Sequence, residues 1–312
     1  MLAVRILGGV YLSSIEPLNN QEDLKKEYGI SDILSVIPGD IKEQYKTAYK
    51  WKQIAITDEE TTNLLPHLDE TFEFIDHAAS QGRKVLVHCS QGVSRSVAVI
   101  MAYLMKKHKL TVEQTLHAVQ RKSPEASPNP AFMEQLKLYE SMNCKLDLDN
   151  ETYKEYLKSL SLKIDPTGSA LREATMNKVF VDPDAAVNKS TYTLRCRKCR
   201  QVLATESEIE EHQPPEAESR QSKFIKTAPN SRRIISVEEA SNDCSHYFFS
   251  EPVNWMRNEL EKGEIEGKFQ CPKCTTKVGG YSWKGSRCSC GKWMIPALHL
   301  QNAKLDKILR PT

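Results

Sequence analysis

An α/β domain followed by a smaller cysteine-rich module is the architecture that this 312-residue sequence predicts. Three observations carry the prediction. The apolar strand pattern Val85 to Val87 runs through a short loop containing Gly92 into an apolar helix pattern, Ser96 to Met105. Seven of the nine cysteines fall between Cys196 and Cys290, and the chain is too long for one typical domain. With 39% hydrophobic and 27% charged residues and no apolar run of membrane-spanning length, the composition is that of an ordinary soluble chain.

Taken in order, the opening MLAVRILGGVYLSS reads as a strand and turn, not as a signal peptide, so a reducing compartment is expected. Thr111 to Gln120 is a predicted helix, with Thr111 and Gln114 spaced as a capping box and Leu116 and Val119 on one face. Ser123 to Pro130 breaks the pattern, and Phe132 to Tyr139 resumes helical spacing as the last helix of the domain. Residues 146–190 mix a short amphipathic stretch, Tyr153 to Leu162, with Pro166, Gly168 and Pro183, and read as a partly ordered linker. Gln213 to Arg233 reads as a flexible insertion.

The loop between strand and helix, HCSQGVSRS over residues 88–96, has the chemistry of a phosphate cradle. Backbone N–H groups from Ser90, Gln91, Gly92, Val93, Ser94 and Arg95 can converge on one anion at a helix start. That field favours the thiolate of Cys89, the nucleophilic form, and Arg95 adds a planar fork matched to two phosphate oxygens. Ser96 is placed to donate to the sulfur and His88 to hold the cysteine backbone. Cys89 and Arg95 therefore predict a cysteine-dependent phosphatase that needs no cofactor for catalysis, since guanidinium and backbone supply what metal ions supply elsewhere.

The remaining cysteines are spaced Cys196-x-x-Cys199, Cys244, Cys271-x-x-Cys274 and Cys288-x-Cys290, and such pairs present two thiolates to one tetrahedral zinc. Two zinc ions are expected. Cys271, Cys274, Cys288 and Cys290 make a self-contained four-cysteine set, with Gly279, Gly280, Gly285 and Gly291 supplying turns. Cys196, Cys199 and Cys244 then lack a fourth ligand, for which His212, His246 and His299 compete. Cys144 is read as a core residue, or else as a redox partner for Cys89.

The signature loop resembles that of the dual-specificity branch of the protein tyrosine phosphatases, and the resemblance extends over ILGGVYLSS, YGISDILSVIP and PNPAFMEQL. It implies that Asp58, in WKQIAITDEE, protonates the leaving oxygen, with Glu59 and Glu60 as competitors. The uncharged loop interior and the lack of a segment like the phosphotyrosine-recognition loop imply a shallow pocket for phosphotyrosine, phosphoserine and phosphothreonine in proteins. An RNA 5′-phosphatase is the alternative that the same spacing allows. The second half resembles the zinc domain of eukaryotic, and in particular fungal, dual-specificity phosphatases: CRKC at 196–199, CSHYFFSEPVNWM from Cys244, CPKC at 271–274 and CSCGKW from Cys288. This resemblance implies His212 as the missing ligand, and association with precursors of the large ribosomal subunit in nucleus and cytoplasm. Catalysis dispensable to an adaptor role is the second alternative. The implied organisation is a phosphatase domain over 1–145, with a central sheet flanked by helices, a linker over 146–190, and a zinc domain of ribbon type over 191–312.

Charge is unevenly placed. The net +2 hides nine Lys and Arg against one acid in residues 268–312. Even with a doubly negative four-thiolate zinc site, that stretch favours an acidic or RNA-bearing partner, and the lack of an apolar membrane-spanning run predicts no membrane.

Overall fold

A computed structural model describes residues 3–187, 190–215, 225–226, 234–235 and 244–309. Contacts divide the chain into two units, Met1–Lys154 and Glu155–Thr312.

The first unit is built on five strands, β1 (Val4–Leu7), β2 (Val10–Ser13), β3 (Ile30–Val36), β4 (Lys50–Ile54) and β5 (Lys84–His88). Their order is β1-β2-β5-β3-β4. β1 is antiparallel to β2, whereas β2, β5, β3 and β4 pair in parallel. The central strand β5 is the apolar run of the sequence, and Val85, Leu86 and Val87 are wholly buried, as strands covered on both faces must be. Connecting segments supply α1 (Glu16–Asn19), α2 (Leu24–Tyr28), α3 (Glu43–Ala48) and α4 (Leu65–Ser80). α5 (Arg95–His108) follows β5 and is buried from Arg95 to Met105, so its apolar sequence is explained by packing on every side. α6 (Val112–Gln120) carries the expected capping box at Thr111 and Gln114, and α7 (Pro130–Ser141) is capped by the Asn129 side chain on Phe132 N.

The stretch expected as a linker is largely helical: α8 (Glu151–Ile164), α9 (Ser169–Met176) and α10 (Pro183–Ala186). Phe180 from this stretch is buried in the same cluster as Leu194, Phe269, Trp283 and Leu300, and Val181 pairs with Val253. Burial of one aromatic and one strand bridge, not helix propensity, makes the segment part of the second fold.

The named strands of the second unit pair antiparallel, and the Val181–Val253 bridge is parallel. β6 (Tyr192–Cys196) and β7 (Val202–Thr205) join β17 (Leu305–Leu309) in the order β17-β6-β7. β8 (Ile209–Glu210), β11 (His246–Phe249), β12 (Glu266–Gln270), β13 (Lys277–Ser282) and β16 (Ala297–Gln301) form a second sheet ordered β12-β13-β16-β11-β8. Two short ribbons complete it, β9 (Ile225–Lys226) with β10 (Ile234–Ile235), and β14 (Ser286–Arg287) with β15 (Trp293–Met294). Helix α11 (Arg257–Leu260) lies between β11 and β12. The flexible insertion read over Gln213 to Arg233 lies mostly outside the described residues. No helix among the described residues is long and apolar enough to cross a membrane.

Two of the expected turn glycines are not in turns. Gly279 and Gly280 lie inside β13, where a Cβ would stand 2.0 Å from His299 O and 2.6 Å from Gly267 O. They are there because neighbouring strands approach too closely for a side chain. Gly285 and Gly291, with φ of 90° and 99°, are the ones the turns require.

Candidate active site and metal centres

The end of β5 and the start of α5 bring the signature loop into one cradle. Ser90 O accepts from Ile15 N at 3.2 Å and Val93 O from Ser127 N at 2.9 Å, so these two carbonyls are tied to neighbouring segments. Gly92 is obligatory: its φ is +75°, and a Cβ would meet the Ser13 and Ser14 backbone at 2.7–2.8 Å. The Cys89 sulfur, 1% exposed, accepts from Gly92 N at 3.3 Å and from Ser96 Oγ at 3.1 Å. Burial pushes the Cys89 thiol up, but the Ser96 hydroxyl and N–H, the Gly92 N–H and the Arg95 guanidinium together outweigh it and leave the pKa below the ordinary thiol value.

Arg95 is buried and anchored by Nη1 donating to Ile56 O at 3.1 Å. Its Nε hydrogen-bonds to nothing among the described residues and stands 3.8 Å from Asp58 Oδ2. A buried guanidinium N–H without a hydrogen bond can donate to an anion. Asp58 Oδ1 accepts two hydrogen bonds, from Ser94 Oγ at 2.8 Å and from Asn129 Nδ2 at 2.7 Å, while Ser94 Oγ also accepts from Asn129 N at 3.0 Å. This puts Asp58, and not Glu59 or Glu60, in the hydrogen-bond network of the loop.

His88 is wholly buried and does not face the cradle. Nδ1 stands 3.4 Å from Cys89 O and Nε2 2.7 Å from Ser35 Oγ, and Trp51 Nε1 donates to the same hydroxyl at 3.1 Å. Burial, with Arg95 adding to it, pushes the imidazole down to about 4, against a smaller opposing pull from the Cys89 carbonyl, so the ring is neutral at pH 7.

Cys144 is no partner for Cys89. The charged groups acting on it include Lys106 and Lys109, at the far end of α5 from the loop, and that 14-residue helix is about 20 Å long at about 1.5 Å per residue. A disulfide needs Cα atoms within about 7 Å.

All eight expected metal ligands gather into two groups, but not the groups expected. Cys196, Cys199, Cys271 and Cys274 form one and His212, Cys244, Cys288 and Cys290 the other, the ligand atoms of each lying within 4.8 Å of one another. The self-contained set of Cys271, Cys274, Cys288 and Cys290 is therefore incorrect. β6 places Cys196 at its end and β12 places Cys271 just past its own, so the two Cys-x-x-Cys turns face each other. Those turns are built alike. Arg200 N donates to Cys196 O at 2.8 Å and Thr275 N to Cys271 O at 2.9 Å, while Cys196 N donates to Gln201 O and Cys271 N to Thr276 O, both at 2.9 Å. Arg200 and Thr275 take the left-handed conformation that each turn demands, with φ of 66° and 56°.

The second group uses the same sheet logic. Pairing of Phe248 with Glu210 sets β11 beside β8, which brings Cys244 and His212 together. Cys244 Sγ is 3.3 Å from His212 Nε2, so His212 completes the group; His246 and His299 instead pack ring against ring at 4.6 Å. A tetrahedral zinc with Zn–S bonds of about 2.3 Å holds its sulfurs about 3.8 Å apart. Cys196–Cys274 at 3.7 Å and Cys199–Cys271 at 3.5 Å fit that spacing, and all nine cysteines are free thiols.

The family described as the dual specificity phosphatase catalytic domain matches residues 10–142. Tyrosine-protein phosphatase YVH1 of Saccharomyces cerevisiae is 44% identical over 97% of this chain and 91% of its own length. Dual specificity protein phosphatase 12 of Rattus norvegicus is 35% identical over 98% of this chain and 88% of its own. Among solved structures, the Yvh1 phosphatase domain from Chaetomium thermophilum is 31% identical, covering 47% of this chain and 99% of that one with a TM-score of 0.43.

Proposed function

The chain belongs to the dual-specificity phosphatase family, and from that premise we propose that the Cys89 cradle hydrolyses phosphotyrosine, phosphoserine and phosphothreonine in proteins through a cysteinyl phosphate. The Cys89 thiolate attacks phosphorus, forming the S–P bond as the P–O bond to the substrate breaks, and protonated Asp58 gives its proton to the departing oxygen. The Asp58 carboxylate then takes a proton from a water that attacks the same phosphorus. Inorganic phosphate leaves, and the Ser96 hydroxyl donates to the sulfur as it departs. Arg95 and the loop N–H groups hold the equatorial oxygens throughout.

The observation that carries this reading is the convergence of the Ser96 hydroxyl and Gly92 N–H on Cys89 Sγ, with the open Arg95 Nε and the doubly held Asp58 beside them. Cys89→Ser should abolish turnover of an aryl phosphate while leaving the fold intact. A folded Cys89→Ser protein with wild-type turnover would remove the assignment.

The two four-ligand groups are read as structural zinc sites, because each is closed and rich in thiolate and leaves no position for a substrate. The second unit is further read as the part that associates with precursors of the large ribosomal subunit, which places the protein in nucleus and cytoplasm. Its support is charge: Lys268, Lys273, Lys277, Lys284, Lys304 and Lys307 are all exposed in the second unit. Co-sedimentation of the full chain with such precursors, retained in Cys89→Ser and lost on mutation of Cys271 and Cys274, tests it.

A further inference from the structure

Trp51 and Ser35 take no part in the mechanism above, yet they end a hydrogen-bond chain that reaches the nucleophile. Ser35 lies on β3 between its two neighbours: it is in register with His88 on β5, and Trp51 lies two residues along on β4, opposite Ile33. Ser35 and His88 are both wholly buried. The chain runs Trp51 Nε1, Ser35 Oγ, His88 Nε2, His88 Nδ1, Cys89 O, at 3.1, 2.7 and 3.4 Å for its three contacts.

Both ends of this chain are one-way. An indole N–H can only donate, and a carbonyl oxygen can only accept. At one end the Ser35 oxygen accepts from Trp51, which leaves the hydroxyl proton for His88 Nε2. At the other, Cys89 O needs a proton on His88 Nδ1. The two requirements agree on a single neutral tautomer, with Nδ1 protonated and Nε2 bare. From this we infer that Trp51 is a positioning residue for the nucleophile: its indole N–H sets the Ser35 hydroxyl, which sets the His88 tautomer, which holds the Cys89 carbonyl back from the cradle. With that carbonyl held, the following N–H groups stay turned toward the sulfur and the anion. The inference rests on Cys89 as the nucleophile, but its first readout does not depend on turnover.

The test uses the full chain labelled with ¹⁵N-histidine, and long-range ¹H–¹⁵N spectra that distinguish the two neutral tautomers. Wild-type His88 should show Nδ1 protonated. Trp51→Phe keeps an aromatic ring but removes the N–H, and should convert His88 to a tautomer mixture and shift the pH midpoint of Cys89 alkylation by iodoacetamide upward. Ser35→Ala, which leaves Trp51 in place, should give the same two changes if Trp51→Phe folds poorly. Lys46 sits over the Trp51 ring at 5.1 Å, so Lys46→Ala controls for ring packing and should change neither. A wild-type His88 protonated on Nε2, or a folded Trp51→Phe protein with unaltered tautomer and alkylation midpoint, overturns the inference. Altered tautomers with a Cys89→Ser protein that still turns over would instead condemn the nucleophile assignment.

Discussion

Cys196 and Cys271 lie 75 positions apart in sequence, but they occupy one ligand group, and this gives a mutational cycle with an unambiguous count. Each group holds four ligands, so the intact protein should carry two zinc equivalents. Cys196→Ser leaves three thiolates in the first group, as does Cys271→Ser. Zinc held by a complete site is worth about 10–16 kcal/mol in small peptides, and a three-ligand remnant should lose metal to a chelator that leaves a complete site loaded. Each single variant should therefore retain one equivalent after chelator dialysis. The double variant should also retain one, because both changes strike the same site. Cys271→Ser with Cys288→Ser should retain none. Had the cysteines paired contiguously, the two double variants would exchange outcomes. Elemental analysis after dialysis reads the count, and cobalt substitution of the surviving site in the first double variant should give the spectrum of three sulfurs and one nitrogen. A Cys196→Ser/Cys271→Ser protein with fewer equivalents than either single variant would refute the pairing.

Three further predictions concern the first unit. Asn129→Ser keeps a side-chain oxygen to cap α7 but removes the amide that donates to Asp58 at 2.7 Å, so stability should stay within about 1 kcal/mol of wild type while alkyl phosphates lose more turnover than activated aryl phosphates. Equal losses on both would show that Asn129 does not serve the acid. His88 is held at about 4 in the fold against 6.5 when unfolded, so below pH 6.5 the unfolded chain binds the extra proton and stability falls as pH drops toward 4, by up to about 3 kcal/mol at about 1.4 kcal/mol per pH unit. Pulse proteolysis in urea at pH 7.5 and 5 should show this loss in the wild-type chain and a smaller one in His88→Asn; identical slopes would contradict it. Gly92→Ala puts a Cβ against the Ser13 carbonyl at a left-handed φ, and kcat/KM for an aryl phosphate should fall about 100-fold from displacement of the loop. A drop below threefold would mean that the loop absorbs the methyl group.

The proposed phosphate cradle is legible in sequence because its parts are contiguous: Cys89 to Ser96 carry the candidate nucleophile, N–H groups and guanidinium on one loop. The proposed acid, Asp58, is less so, because its position comes from a resemblance and its partners Ser94 and Asn129 lie 36 and 71 residues away. Nothing local marks Asn129 as more than a helix cap. Ser35 and Trp51 could not be found at all, since a hydroxyl and an indole on two strands acquire meaning only from the register of those strands. The cysteines show the same limit. Their spacing names the seven cysteine ligands, and a resemblance adds His212, but neither says which turn faces which, and that is decided by sheet order. Phe180 and Val181 carry no local mark, because a short segment between prolines looks like a connector until something buries it.

In chain order the eight ligands alternate between the groups in pairs: 196 and 199, then 212 and 244, then 271 and 274, then 288 and 290. A polypeptide made from its N-terminus therefore cannot finish either centre early. The four-thiolate centre waits for Cys274 and the mixed centre for Cys290, so half-sites come first and closure follows in a fixed sequence. A chain stopped before Cys271 would hold neither centre, and one stopped between Cys274 and Cys288 only the first. The direction of translation thus orders the completion of the two ligand sets, whatever their affinities for metal.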